Sequence, residues 1–246
     1  MRMPTIAVFT SHVGLQSDAK QLARELQLPF IAEKTSDYEY LLILTPAYLA
    51  LQKAKSKPLY VDFLSKKMQY RRQQMSLRKE ALARALGLKK QTASWIVDAT
   101  AGLARDSFIL ASLGFEVTLL ERSPLIHALI ADGIRRASKD SAVQRLHLIQ
   151  ADAIDWLTHL KNKPDIIYLD PMFPERKKSA LSKQDMRIFH DVIGDDTDAN
   201  DLLKTALACA KERVVVKRSR LAPALLGPLP HFSQCGRSSR FDVYLL

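Results

Sequence analysis

The sequence is poor in cysteine: of 246 residues only Cys209 and Cys235 carry a thiol. Two cysteines make neither a disulfide framework nor a zinc site. Cys209 falls in an alanine-rich helical pattern and reads as a small core residue. Long apolar runs are missing as well. No segment approaches the roughly 18–20 apolar residues that a membrane span needs. The opening stretch, MRMPTIAVFTSHVGLQSDAK, returns to polar residues too soon for a secretory signal core. A cytoplasmic location is therefore expected. Internal repeats and low-complexity segments are absent too.

The chain that remains is 47% hydrophobic and 26% charged, as ordinary globular proteins are. Its length suits one large domain, or a medium domain with an appendage. Its formal net charge is +11, which favours polyanionic partners. The distribution is more telling. Between Leu64 and Lys90 stand nine bases against one acid, Glu80, whereas Asp191 to Asp201 holds five aspartates and no base.

Three regions are expected. Residues 1–63 read as a small α/β unit, with TIAVFT, FIAE, YLLILT and LYVDF as strands and a helix capped by Ser17 or Asp18 and running to Leu26. Residues 64–90 read as a basic connector, with one helix over 64–87 whose apolar stripe is Leu64, Met68, Met75, Leu82 and Leu86. Gly87 suits its C-terminal stop. The bases on that helix fit either a solvated face or a wall facing phosphates. Residues 91–246 alternate strand and helix: WIVDAT, EVTLLE, RLHLIQ, DIIYLD and RVVVK as strands, helices between them, and a long polar loop after DIIYLD. Such alternation predicts a Rossmann-like, mostly parallel sheet covered on both faces. The tail, HFSQCGRSSRFDVYLL, adds an antiparallel hairpin turning at Gly236.

In sheets of this kind ligands bind beyond the carboxyl ends of the strands. The first strand ends in DATAGLARD. Asp98 is followed by small residues that let a turn approach a ligand closely, and the next helix offers free N–H groups. Only Gly102 represents the G-x-G-x-x-G fingerprint, so a plain tight turn fits equally well. Arg105 and Asp106 can line a ligand or cap the helix. The second strand ends in Glu121, nineteen residues after Gly102, near the spacing at which an acid bonds ribose hydroxyls. Arg122 can border an adenine. At the third strand end Asp152 fits a helix cap or a reader of the adenine amino group, with Ala153 leaving room beside it. The fifth strand ends in Lys217 and Arg218, which can hold phosphate or balance an acid.

The fourth strand ends in YLDPMFP. Pro171 and Pro174 bias Asp170 and Phe173 towards extended backbone. A rigid turn carrying an acceptor and an aromatic face suits a planar base with an amino group. Asp170 and the Pro171 carbonyl can accept from the NH₂ while Phe173 stacks on the ring. An exocyclic amine is a poor nucleophile because its lone pair is delocalised. Aligning it at about 3 Å from an electrophilic methyl supplies much of the rate.

Asp-Pro-Met-Phe is similar to the Asn/Asp-Pro-Pro-Tyr/Phe motif of class I S-adenosylmethionine (SAM)-dependent methyltransferases that act on amino nitrogens, with Met172 where a second proline is usual. VDATAGLARDSFILASLG, LLERSP, YLDPMFPERKKSALSKQDMRIF, VVVKR and RFDVY resemble the RsmJ family. The resemblance implies a SAM-dependent enzyme, with S-adenosylhomocysteine as product, that methylates guanine N2 in the 3′-terminal hairpin loop region of 16S rRNA. It further implies that Arg105-Asp106, Glu121-Arg122, Asp152-Ala153 and Asp170 contact the cofactor region. Lys177, Lys178 and Lys183 would then lie on a substrate loop. They would flank one groove with Lys66, Lys67, Arg71 and Arg72, and Lys217 and Arg218 would join them on the RNA. The partner is 16S rRNA or the small ribosomal subunit; no metal and no membrane are expected.

Other readings remain open on the residues alone. The turn suits adenine N6, cytosine N4 or a protein amide equally. A nicotinamide-dependent dehydrogenase is opposed by the missing glycines and leaves DPMFP without a role. A non-enzymatic RNA-binding module leaves the strand-end acids unexplained.

Overall fold

The structure, a computed structural model, describes residues 4–54, 56–89, 94–172, 184–194, 196–236 and 239–246, with the backbone alone at 184–187 and 190. Two sheets organise it. The smaller is built from β1 (Ile6–Phe9), β2 (Phe30–Ile31), β3 (Tyr40–Leu44) and β4 (Leu49–Lys53), with α1 (Gln16–Glu25) between β1 and β2. Its order is β2-β1-β3-β4; β1 runs parallel to both neighbours and β4 antiparallel to β3. Two details differ from the sequence expectation. The alternating segment LALQK forms β4, and LYVDF contributes a single bridge, Leu51 to Leu59. The turn after β3 decides this: the Thr45 hydroxyl collects the N–H groups of Ala47 and Tyr48, reversing the chain so that 49–53 claims the edge of β3. The cap of α1 is also different, because Leu15 occupies that position without a side-chain bond.

The connector is two helices rather than one, α2 (Lys66–Gln74) and α3 (Ala81–Ala85). Met75 turns extended, at φ −82° and ψ 153°, and ends α2. The break lets Glu80 fold back onto Arg71 at 3.2 Å. Gly87 does close α3, at φ +67°, with the Leu88 N–H returning to the Ala83 carbonyl. The Arg213 guanidinium fills the space where a side chain at 87 would stand and donates to the Ala85 carbonyl at 2.7 Å. A straight helix would lose both contacts.

The larger sheet holds β5 (Ile96–Asp98), β6 (Val117–Glu121), β7 (Leu146–Gln150), β8 (Ile166–Leu169), β9 (Arg213–Ser219), β10 (Phe232–Cys235) and β11 (Ser239–Leu245). Its order is β10-β11-β9-β8-β5-β6-β7. All pairs are parallel except those of β11 with β9 and β10. The expected mostly parallel sheet with a terminal hairpin is therefore present. α4 (Arg105–Ser112) and α5 (Pro124–Arg136) cover one face, and α6 (Ala153–Thr158) and α8 (Ala199–Cys209) the other. Sequence order reverses between β5 and β8, and that crevice is where such sheets bind ligands. The segment read as a long polar loop carries α7 (Gln184–Ile193). Asp191 on α7 accepts from Tyr40 at 2.7 Å and from Lys53 at 2.9 Å, so this helix bridges to the smaller sheet.

One apolar core runs through both sheets, joining Val8, Leu42 and Leu51 to Phe108, Ile126 and Leu129. α5 is the seam. Asp132 is buried there and accepts from the Leu49 N–H at 3.0 Å while Arg136 holds it at 2.8 Å. Gly133 faces Val61 so closely that a Cβ would lie 2.6 Å from its Cγ1. Gly133→Ala should therefore lose about 1–3 kcal/mol to overpacking, more than the roughly 1 kcal/mol that helix propensity returns. A denaturant midpoint at or above that of the parent would contradict this seam.

Candidate active site

The carboxyl ends of β5, β6, β8 and β9 open into one cleft of about 1140 Å³. Single-ligand pockets run to roughly 300–1,000 Å³, so there is room for a nucleoside and a second planar ring.

The turn after β5 forms one wall. Gly102 and Ala104 both stand at φ +54°. For a non-glycine residue that costs roughly 1–2 kcal/mol, and strain of this sort collects at binding turns. The bent backbone sets the start of α4 against the cleft. Asp98 lies beneath, 2% exposed. It accepts from the Thr100 N–H at 3.1 Å and from the Ser107 hydroxyl. Burial pushes its carboxyl up to about 7. Its bonds hold the turn from below, and Gly102 presents the turn to the cleft. Arg105 is exposed at the mouth.

Glu121 forms the second wall. It is 6% exposed and its two oxygens accept from the N–H groups of Gly102, at 3.1 Å, and Ser123, at 2.8 Å. Burial drives its carboxyl up to about 7. Each oxygen retains a second lone pair, so the group can still accept from a vicinal diol. This donor-poor, acceptor-rich wall beside a small-residue turn fits the ribose of an adenosyl cofactor. Arg122 pairs with Asp198 at 2.7 Å and with Asp196. Asp152 caps α6 through Oδ1, to Ile154 N at 2.9 Å and Asp155 N at 3.1 Å, and borders the cleft beside buried Ala153.

The floor is a charge cluster. Lys217 Nζ lies 2.6 Å from Asp170 and 2.8 Å from Asp106. Tyr168, two residues before Asp170 and so on the same face of β8, donates to Asp106 at 2.9 Å. Burial opposes ionisation of Asp106, but Lys217, Arg71 and the Tyr168 hydroxyl outweigh it and hold its carboxyl below the usual value. Burial raises Asp170, against the pull of Lys217. The Asp170 N–H donates to Thr100 Oγ1 at 2.6 Å, which ties the turns after β8 and β5 together.

The absence of proline at 172 has a definite reason. The Met172 N–H donates to Asp196 at 2.6 Å, and the Met172 carbonyl accepts from the Asp196 N–H at 3.1 Å. Proline, usual at this place in the similar motif, has no N–H to give. Asp196 also receives Arg122, so one aspartate joins the turn of Asp170 and Pro171 to the Glu121 wall. Sequence reasoning missed Asp196, Thr100 and Tyr168. The run of five aspartates from Asp191 to Asp201 was the available signal for the first, and strand alternation for the last.

The basic residues divide. Lys67 and Arg71 border the cleft and Lys66 is exposed beside them. Arg72 is turned away and bonded to Asp140 at 2.6 Å. Arg218, expected on the RNA, is 5% exposed and donates to the Pro223 carbonyl at 2.6 Å. It braces the 219–223 turn because the alternation of β9 sends it to the opposite face from Lys217. Phe173, Lys177, Lys178 and Lys183 lie outside the described residues. Among the described residues there is no helix long and apolar enough to cross a membrane, and no group of three His, Cys, Asp or Glu able to hold a metal ion.

Met172→Pro should uncouple the turn from Asp196. Losing a part-buried hydrogen bond to a carboxylate costs about 1–3 kcal/mol, so the melting temperature should fall. An unchanged melting temperature would contradict the bond.

The family model described as "Putative SAM-dependent methyltransferase" matches residues 8–246. Among curated proteins, the Ribosomal RNA small subunit methyltransferase J of Thioalkalivibrio sulfidiphilus is 48% identical, covering 98% of this chain and 97% of its own. That of Coxiella burnetii is 46% identical with the same coverage. The crystal structure of a SAM-dependent methyltransferase from Neisseria gonorrhoeae superposes with a TM-score of 0.75 at 34% identity, over 98% of this chain and 96% of that one. With matches of this extent on a cleft built for an adenosyl group, the chain belongs to the ribosomal RNA small subunit methyltransferase J family of SAM-dependent methyltransferases.

Proposed function

We propose that this chain transfers a methyl group from S-adenosylmethionine to the exocyclic N2 of a guanine in the 3′-terminal hairpin loop region of 16S rRNA, releasing S-adenosylhomocysteine. The observation that carries the reading is the sharing of one cleft by the Glu121 wall and the Asp170-Pro171 turn, on either side of the switch point. The names of the relatives support the RNA substrate. The choice of guanine N2 among exocyclic amines rests on the family blocks, above all the one running from Tyr168 to Phe189.

In this reading the cofactor-binding residues are Gly102, Arg105, Asp106, Glu121, Arg122, Asp152, Ala153 and Asp170, with Asp98 beneath the turn. Bound S-adenosylmethionine supplies an electrophilic sulfonium methyl. Asp170 and the Pro171 carbonyl accept from the two N–H bonds of the base amine, turning its lone pair towards that methyl. Phe173 stacks on the ring. Lys217 pulls Asp170 towards its ionised form, against its burial, and aims it, so that it accepts from the amine. The N–H acidifies as the new N–C bond forms and the C–S bond breaks, and its proton then leaves to solvent water, so strong base catalysis is not required and alignment supplies much of the rate. The target guanine has to be splayed out of its loop to enter. Cationic side chains at the rim supply salt-dependent affinity for the phosphates.

Asp170→Ala should keep its fold, read as an unchanged melting profile, and lose about 10²–10⁴ of turnover, the range for a positioned catalytic group. The assay is labelled methyl transfer to small-subunit RNA from a strain lacking the enzyme, followed by nucleoside analysis. Full activity in the variant would remove Asp170 from the mechanism, and label on adenine N6 or cytosine N4 would replace guanine.

Glu121 generates a pH test. Its carboxyl titrates near 7 because it is buried, and only the ionised form accepts from both ribose hydroxyls. S-adenosylhomocysteine should therefore bind about tenfold more tightly at pH 8 than at pH 6, with the rise centred on that pKa. Glu121→Gln should bind weakly with no such rise. Calorimetry across this range decides it; a flat parental profile would discard Glu121 as the ribose acceptor.

A further inference from the structure

We propose that Tyr70 is a stacking shelf for an unpaired base of the RNA substrate, next to the base that enters the cleft. This rests on the RNA reading above. Lys66 and Lys67 are its phosphate contacts, and together the three residues form a binding site at the rim.

The structure removes two of the four α2 bases from the expected RNA surface. Arg71 is engaged by Glu80 at 3.2 Å and Asp106 at 3.4 Å, and Arg72 by Asp140 at 2.6 Å. Both are therefore occupied in holding α2 to the body. Lys66 and Lys67 are exposed, with no ion pair among the described residues. Lys67 borders the cleft. Residues three and four apart share a helix face, so Lys66, Lys67 and Tyr70 stand together on the side of α2 away from buried Met68.

Tyr70 is 67% exposed. Among the described residues its ring meets no other aromatic and its hydroxyl has no hydrogen-bond partner. It caps nothing and packs into no core. A large exposed ring between ammonium groups, beside a cleft that takes a planar base, matches the plan of single-strand readers: cations follow the backbone while aromatics stack on bases. There is also a physical need for it. Extruding one base from a loop strips its neighbour of a stacking face, and a ring one helical step from the cleft wall can replace that face. A protein partner would require an apolar surround, whereas the flanking charges favour a polyanion.

The test uses the full chain and a hairpin RNA of the small-subunit 3′ region. Tyr70→Ala should raise the RNA KM, and the Kd by gel shift, about tenfold, in line with loss of one base stack. S-adenosylhomocysteine affinity by calorimetry should not move. Tyr70→Trp should restore RNA affinity. Its added emission, read as the difference from the parent with Trp95 and Trp156, should be quenched by the hairpin. Parental RNA affinity in Tyr70→Ala, or emission of Tyr70→Trp indifferent to the hairpin, overturns the proposal. So does weakened binding in Lys66→Ala and Lys67→Ala alone, which leaves a purely electrostatic rim. Failure of the parent to label guanine N2 would sink the substrate assignment instead, and the gel shift would still report on Tyr70.

Discussion

A single ammonium group lies between two carboxylates. Lys217 Nζ sits 2.6 Å from Asp170 and 2.8 Å from Asp106, and the cleft floor depends on it. Two acids facing each other in a buried site cannot both ionise without a cation between them. With Lys217 present, Asp106 stays ionised and receives the Tyr168 hydroxyl, and Asp170 stays directed at the cleft. The three side chains arrive from α4, the turn after β8, and β9, so the interaction also ties these elements together on the side of the switch point. Such a pair is costly to desolvate and is kept where geometry matters more than net stability.

Most of the strands were legible in the sequence because each is a short apolar run ending at a polar residue, and an apolar run in a buried parallel sheet has little freedom to be anything else. Glu121 and Asp170 could be placed for the same reason: the strand end is a geometric marker. What was not legible depended on contacts distant in sequence. The break between α2 and α3 is set by Glu80 meeting Arg71 and by Arg213 filling the space at Gly87. Helical periodicity over 64–87 is blind to both. Likewise α7 looked like loop because its anchor, Asp191, finds Tyr40 across 151 positions of sequence. Arg218 shows the other limit. Adjacent bases on a strand point to opposite faces, so Lys217 reaches the acids of the cleft floor while Arg218 turns to the Pro223 carbonyl.

The smaller sheet takes part in the site without lining it. Its core is continuous with that of the larger sheet, and it meets α5 through Asp132 and α7 through Asp191. These contacts fix helices that also border the cleft: Phe189 of α7 lies against Gly102, and α5 begins just after Glu121. The strained β5 turn is thus supported from outside its own sheet.

Met172 gives the turn after Asp170 a different kind of stiffness from the one its relatives in motif carry. A proline ring restrains the backbone permanently, by covalent bonds that nothing in the protein can release. The clasp of Met172 with Asp196 is made of two hydrogen bonds, and its acceptor is shared with Arg122 on the opposite wall. Rigidity here is conditional. It holds while the backbones at 172 and 196 stay in register, since one bond of the clasp runs between the two main chains. Where the motif elsewhere has a covalent ring, this turn has a clasp that also ties it to Arg122 on the wall across the cleft.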